Sequence, residues 1–416
     1  MKRVFLLAAI ALVTINLFAQ DVKTAKKLLA AQDFAKAKEA IDQALATDKG
    51  AKDWEAWYIK AKIYGGLAGN EATKNLVPDA RLVALEAVKK ALEVNSSLAT
   101  LSLAQETYKP VFSLYEGYYG DGANYFNSEK YEEAYNSYKN ANAVGEFINK
   151  NGWALSALDT GLVFMVGASA NNAKKLEEAA VYYAKLADAE VASKDYAVAY
   201  RFLAYYYYAD KKDDALFNKY LALGKKVFPK ERYFDDLEIE YLEKKGDKAA
   251  VLAKYEDIMT KNPDDFDIHF NYGVTLFNML FNADEKPNNM SDLIQKMEKA
   301  FIRCTELKPD DVDSYIELGK SHYNQAVELK AQEDAIKGKT PADLTAKKEL
   351  HAKAEKKIND AIPYFEKGFS LLEPMPDKKP AQKAKTKSTA QLLRDCYYFI
   401  NNNEKAKMYD EKVGKL

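Results

Sequence analysis

The chain has 416 residues, of which 48% are hydrophobic and 30% are charged, and its formal net charge is −1. These proportions are those of a soluble folded protein, so they exclude wholesale disorder and argue against nucleic-acid binding driven by overall charge. Two Cys and three His, scattered along the chain, exclude a disulfide framework and argue against a structural zinc site.

The first segment has the layout of an export signal. Lys2 and Arg3 precede an apolar run over 4–18, and the small residue Ala19 follows it. This order predicts a secretory signal peptide over 1–20, cleaved near Ala19. The alternative is a retained membrane anchor, which needs about 20 apolar residues, more than this run offers. We therefore expect an exported mature chain without a membrane span.

Beyond residue 20, apolar residues recur at three- and four-residue spacing, which predicts helices throughout. An internal repeat is clearest in two segments, Asn262–Gly273 and Lys308–Gly319, which share Pro-Asp-Asp-x-Asp followed by a small Gly. Pro229 and Pro263 mark one period of about 34 residues, the length of a helix-pair repeat. The 29 Tyr are therefore interpreted mainly as rings packed between helices.

One stretch places small and aromatic residues at fixed spacing along two successive predicted helices: Tyr118, Gly122 and Tyr125, then Ala134, Tyr138 and Ala141. This pattern resembles the tetratricopeptide repeat family, whose unit is a helix pair, and looser matches extend it over 21–372 in about nine units. The resemblance implies an all-α fold, a right-handed α-solenoid of tetratricopeptide-type helix pairs with helical insertions. The signal ending in Phe-Ala-Gln is similar to those of Bacteroidetes, which implies a periplasmic location.

Three insertions interrupt the repeat, near 65–80, 281–291 and 328–357. The largest contains Thr340-Pro341 with Asp343 three residues after the Thr, a helix-start pattern. We therefore expect two lengthened helices with a break at Gly338. A polar linker is predicted over 373–389, and capping helices over 390–416 would close the array. Insertions of this kind often lie on a binding face of repeat proteins.

No catalytic constellation is present in the sequence: it has no Gly-rich phosphate loop, nucleophile elbow or His-Glu-x-x-His motif. Cys304 and Cys396 are interpreted as small buried hydrophobes, and His269 and His322 as packing residues that replace aromatics. The acid pairs that follow Pro263 and Pro309 suit helix N-termini better than calcium binding. The sequence thus predicts no catalytic residue, no cofactor and no metal site.

The first helices of tetratricopeptide repeats line a concave groove, and the resemblance transfers that role to aromatic and Asn positions of this chain. They are Tyr58, Tyr119, Phe126, Asn127, Tyr205, Tyr208, Phe270, Phe277, Asn278, Tyr323 and Asn324. Rings there can bury a peptide's side chains, and amides can bond its backbone. The alternative is that the rings pack within the groove wall and the amides are solvated helix ends. Tyr119 and Ala123 occupy positions where a clamp for a terminal carboxylate needs Lys and Asn, which argues against that ligand.

Two classes of binding protein and one of enzyme remain open. The first hypothesis is a non-enzymatic exported scaffold or adaptor that binds protein or peptide segments of the cell envelope in its groove. The alternative is an accessory nutrient (glycan)-binding protein of the envelope. The absence of a Cys after the apolar run, where a lipid could attach, and the nearly continuous repeat argue against it. An enzyme is the third hypothesis, for which no site is visible. The oligomeric state is left open.

Overall fold

The computed structural model describes residues 21–153, 158–283 and 286–416, and within these ranges it contains helices and turns but no β-strand. The predicted signal peptide lies outside the described residues. The chain forms two compact units, one ending at Leu237 and one running from Glu238 to Leu416. No helix in the described ranges is long and apolar enough to cross a bilayer.

In the first unit, each long helix packs mainly on its neighbours in the sequence: α4 on α5, α7 on α8, α9 on α10 and α11 on α12. The helices are α1 (21–30), α2 (Phe34–Leu45), α3 (Asp48–Ala51), α4 (Trp54–Gly69), α5 (Ala80–Val94), α6 (Ser96–Gln105), α7 (Lys109–Asn127), α8 (Tyr131–Lys150), α9 (Thr160–Asn172), α10 (Leu176–Asp188), α11 (Ala197–Tyr205) and α12 (Asp214–Val227). The repeat pattern did not predict α6, which begins where the Asn95 side chain accepts a hydrogen bond from the Leu98 N–H.

The helix α13 (Tyr233–Lys245) crosses the boundary between the units. In the second unit α15 packs on α14 and α16, α17 on α18, and α19 on α20. The remaining helices are α14 (Lys248–Lys261), α15 (Phe266–Phe277), α16 (Met290–Leu307), α17 (Val312–Ala335), α18 (Pro341–Leu372), α19 (Pro380–Phe399) and α20 (Asn403–Lys415).

A contact between a small residue and a ring recurs within the pairs. A Cβ on Gly122 or Gly167 would lie 2.7–2.8 Å from a ring carbon of Tyr138 or Tyr183, and the same number of residues separates Gly from Tyr in both pairs. Only Gly allows the two helices to approach so closely. Ala134, which the pattern placed at a tight contact, is fully buried. The prediction of an all-α fold of tetratricopeptide-type helix pairs is confirmed.

The same contact joins Gly273 to Phe301 and Gly319 to Phe365, at longer separations because insertions extend the second unit. The predicted break in the largest insertion is confirmed: α17 ends at Ala335 and α18 begins at Pro341. There, Thr340 and Asp343 accept hydrogen bonds from each other's backbone N–H groups.

The linker predicted over 373–389 is too long. The structure starts α19 at Pro380, which leaves 373–379 as the connection. Pro380 stands in the first turn, where its missing N–H costs nothing, and the Gln382 side chain accepts a hydrogen bond from the Lys379 N–H. A local N-terminal cap therefore starts this helix earlier than the run of Lys indicated.

Candidate functional site

Tyr58, predicted to line the groove, is instead a core residue. Its side chain is 5% exposed, and its hydroxyl donates to the Glu106 carboxylate at 2.8 Å and approaches the Ser102 carbonyl at 3.3 Å. Ser102 belongs to α6, and Glu106 immediately follows the last residue of this helix. The prediction for Tyr58 was wrong because α6, a helix outside the repeat pattern, supplies both partners.

Tyr208 is also buried, and its prediction as a groove residue was wrong. It lies in a π-helical turn, Tyr206–Asp210, that follows α11, and its ring packs on Phe217 at 5.6 Å. A π-helical turn holds more residues than an α-helical turn, so the side chains after it leave the face that α-helical spacing predicts. A second turn of this type, Asn278–Asn282, follows α15, and there the exposed Asn278 accepts a hydrogen bond from Asn282 at 2.8 Å.

Most of the other predicted rings are half-buried and pack on rings nearby. The ring pairs are Tyr119 with Tyr138 at 5.5 Å, Phe126 with Tyr131 at 5.4 Å, Phe270 with Phe301 at 5.9 Å, Phe277 with Phe281 at 5.0 Å and Tyr323 with Phe365 at 6.4 Å. Tyr205 is 49% exposed, Asn127 is exposed and Asn324 is half-buried. These rings therefore pack within the helix pairs, as the alternative interpretation of the sequence predicted. Their role in binding stays a prediction.

The structure brings one predicted groove residue, Tyr323, into a cleft between α17 and α19, with a volume of about 310 Å³. We call it the α17–α19 cleft. Its apolar lining consists of Tyr323, Ala326, Val327, Ala331, Ile358 and Phe399, and its charged lining of Lys330, Asp334 and Asp395. Val327 is 50% exposed, so the cleft offers apolar surface to a partner.

The charges beside this apolar surface are already neutralised. Lys330 forms ion pairs with Glu333 at 3.0 Å and Asp334 at 3.1 Å, and Asp395 accepts from Arg394 at 2.9 Å. Such exposed pairs contribute little to stability, but they leave no strong field of one sign over the cleft. The arrangement suits an apolar side chain of a partner, surrounded by a polar rim.

Sequence reasoning missed Val327 and Phe399 as cleft residues. Val327 follows Tyr323 by four residues and therefore continues its face along the lengthened α17. That spacing was a usable signal for Val327. The Phe399 ring stacks on His351 at a centroid distance of 5.4 Å.

The two thiols have no nucleophilic character at neutral pH. Cys304 and Cys396 are free and fully buried, and burial raises the pKa of each to about 12. The His322 ring stacks on Tyr364 at 5.6 Å, and burial lowers its pKa. Among the described residues, no group of three His, Cys, Asp or Glu side chains is arranged to hold a metal ion.

No protein-family model matches the chain, and no curated protein matches it. Solved structures that it resembles include a monomeric IFIT1 mutant with m7Gppp-AAAA, which is 16% identical; the alignment covers 88% of this chain and 74% of that chain with a TM-score of 0.31. A TPR repeats protein from Bacteroides fragilis is 15% identical, with 68% and 98% coverage and a TM-score of 0.29. The TPR2AB domain of yeast Sti1, in a pHSP90 complex, is 14% identical, with 73% and 98% coverage and a TM-score of 0.24.

These TM-scores are too low to carry an argument about function. The assignment of the fold rests on the chain's own geometry, in which successive helix pairs place a Gly of the first helix against a ring of the second. The described chain therefore has the fold of tetratricopeptide-type helix pairs.

Proposed function

We propose that this protein is a non-enzymatic interaction scaffold that binds a peptide segment of a partner protein in the α17–α19 cleft. The observation that carries the proposal is the half-exposed Val327 within an apolar lining whose neighbouring charges are paired. A volume of about 310 Å³ is at the small end of binding pockets, which suits an anchoring side chain better than a large compact ligand.

Recognition in this cleft needs an aliphatic or aromatic anchor flanked by polar residues. The anchor would cover Val327 and the edge of Tyr323, and its burial would supply most of the affinity. The half-buried Asn324 follows Tyr323 on α17, where its amide can bond the backbone of an extended segment. The other predicted aromatic-Asn pair, Phe277-Asn278, would serve the same partner as a secondary contact.

The test begins with a display library of random peptides, from which segments binding the purified chain are selected. Val327→Asp should weaken a selected peptide at least about tenfold, because the carboxylate would be desolvated against the anchor. Val181→Asp is the matched control: Val181 is 56% exposed on α10, in the other unit. Both variants place an Asp on an exposed helix face, so their melting temperatures should change similarly.

Three results would contradict the proposal. The first is a library that yields no binding peptide, and the second is normal binding of the selected peptides by Val327→Asp. Equal weakening by Val327→Asp and Val181→Asp would also contradict it, since the second substitution lies outside the cleft.

We also propose that the scaffold is exported, with the periplasm as its compartment and envelope proteins as its partners. The support is the order of charged, apolar and small residues over 1–20. Mass spectrometry of the protein from its host should show a mature N-terminus near Gln20 or Asp21. An intact Met1 on a protein from the cytoplasm would reject export without affecting the cleft.

A further inference from the structure

The insertion near 65–80 forms one wall of a second cleft, which the peptide-binding proposal does not use. Residues 70–79 form successive turns between α4 and α5, and they face α7 and α8 across a space of about 420 Å³. We call this space the insertion cleft. Unlike the α17–α19 cleft, it is lined mainly by amide, hydroxyl and charged side chains.

Tyr118 of α7 lines this cleft, and its buried hydroxyl lacks a hydrogen-bond partner within the described ranges. Its side chain is 6% exposed, and no donor or acceptor among the described residues bonds its oxygen. Burial raises the pKa of Tyr118 to about 12, so the group stays a neutral hydroxyl that can both donate and accept. Leaving such a group unpaired destabilises the protein, and a bound polar molecule that pairs with it would recover this loss.

The surroundings of Tyr118 carry charges of both signs and no strong field of one sign. The Arg81 guanidinium lies 5.5 Å from the Tyr118 ring centre and is hydrogen-bonded to Asp121. Arg81 fits beside α7 because residue 117 is Gly. A Cβ at this position would come within 2.3 Å of the Arg81 side chain. The charged lining consists of the cationic Lys74 and Arg81 and the anionic Asp79, Asp121 and Glu133, so charges of both signs are mixed around Tyr118.

The rest of the lining offers both donors and acceptors. Asn136 and Asn140 of α8 and Asn75 of the insertion each present an amide that does both, and Glu133 adds a carboxylate that accepts. Tyr125, 37% exposed, presents part of its ring to the same space. A small molecule with several neutral hydroxyls on a compact apolar ring matches this lining, because each hydroxyl can donate to one side chain of the cleft and accept from another.

We propose that the insertion cleft binds a small neutral polyhydroxylated ligand, of the size of a mono- or disaccharide, with the Tyr118 hydroxyl as a specificity-determining contact. The site lies wholly within the first unit, and it stands or fails independently of peptide binding in the α17–α19 cleft.

Calorimetric titration of the purified chain tests this with defined probes. The panel contains glucose, N-acetylglucosamine, maltose and cellobiose, with glucuronic acid and glucosamine as charged counterparts. We expect saturable binding of at least one neutral sugar with a Kd at or below about 1 mM. Tyr118→Phe removes only the hydroxyl, so it should weaken that sugar about fivefold or more without lowering the melting temperature.

Asn140→Ala should weaken binding similarly, whereas Asn142→Ala should not. Asn142 stands on the same helix but bonds Glu146 and lies outside the cleft. Three outcomes would overturn the proposal: no saturable binding by any neutral sugar, tighter binding of a charged counterpart, or binding that both Tyr118→Phe and Asn140→Ala leave unchanged. A purely structural Tyr118 would alter only the melting temperature.

Discussion

At the scale of single residues, a hydrogen-bonded set of Tyr, carboxylate and Lys recurs between helices. Tyr64 donates to Asp42 at 2.6 Å, and Lys60 donates to the same carboxylate at 2.9 Å. Three equivalent sets are Tyr58 and Lys62 on Glu106, Tyr272 and Lys296 on Glu256, and Tyr397 and Lys405 on Glu366. Each set joins different helices, so these Tyr contribute a polar link as well as a packed ring.

Asp42 should make stability depend on acid. Burial opposes its ionisation, but hydrogen bonds from Tyr64, Lys60 and Lys38 outweigh burial and lower its pKa. A carboxylate with a lowered pKa stabilises the fold above its unfolded pKa of about 3.9, and that stabilisation is lost as pH falls through the folded value. Asp42→Asn should therefore reduce the free energy of unfolding by about 1–2 kcal/mol at neutral pH, and by less in acid.

Urea unfolding at neutral pH and at a pH well below the unfolded pKa of about 3.9 measures this difference. The control is Glu39→Gln, which removes an exposed carboxylate of the same helix that has no ion pair among the described residues. If Asp42→Asn destabilised the protein equally at both pH values, the loss would come from packing, and the proposed link to ionisation would be wrong.

At the scale of elements, helix pairs are held at a distance set by Gly. Gly122 and Gly120 stand on the same helix, but only Gly122 faces a ring of α8, while a Cβ on Gly120 would meet no atom within 4 Å. The two positions therefore separate the cost of overpacking from the intrinsic helix propensity of Ala over Gly. Neither Gly lines the insertion cleft, so a ligand bound there would not affect the comparison of the two variants.

Gly122→Ala should destabilise the protein by about 1–3 kcal/mol, because its methyl group would push the Tyr138 ring and separate α7 from α8. Gly120→Ala should stabilise it by about 0.5–1 kcal/mol, since Ala is the better helix former. Chemical denaturation of both variants gives the two values. Changes of the same sign would show that the close contact between α7 and α8 does not decide stability here.

The outer part of the largest insertion is not stabilised by a buried core between its two helices. No residue from 327 to 353 is fully buried, and burial resumes at Ala354. The far ends of α17 and α18 therefore depend on local features, among them the reciprocal hydrogen bonds of Thr340 and Asp343. Lengthening these two helices extends the face of α17 that carries Val327, and so the insertion contributes to the α17–α19 cleft.

At the scale of the whole molecule, contacts follow the order of the chain. Helices pack mainly on their sequence neighbours within each unit, as in repeat proteins, whose stability is a sum of local and nearest-neighbour contributions. A local change should therefore have a local effect. This differs from a globular domain with a single core, in which a buried substitution weakens every element together.

Amide hydrogen exchange on two variants tests this expectation. Gly122→Ala should lose protection most in α7 and α8, and Gly319→Ala, whose Cβ would lie 2.6 Å from the Phe365 ring, most in α17 and α18. In each case the loss should decrease with distance along the chain inside the same unit. A uniform loss of protection across all helices of a unit would show that the unit unfolds as one cooperative body.

The sequence by itself determined the local features of this protein. Small residues and rings at helical spacing predicted the helix pairs around Gly122 and Tyr138, and the Thr340–Asp343 pattern predicted the start of α18 within a residue. Such features depend on residues three or four positions apart, or on neighbouring helices of one pair, so they can be recognised without knowing the rest of the chain.

Only the tertiary structure decided which side chains a partner can reach. Tyr58 is buried against α6, and its hydroxyl donates to Glu106 at the end of that helix. Tyr208 is buried because a π-helical turn moves its side chain to another face of the helix. Val327 and Phe399 line one cleft although more than seventy residues separate them. Tyr118 of α7 lines another cleft together with residues of the insertion near 65–80. Exposure depends on what packs over a residue from elsewhere in the chain, and the repeat spacing of one helix carries no information about that neighbour.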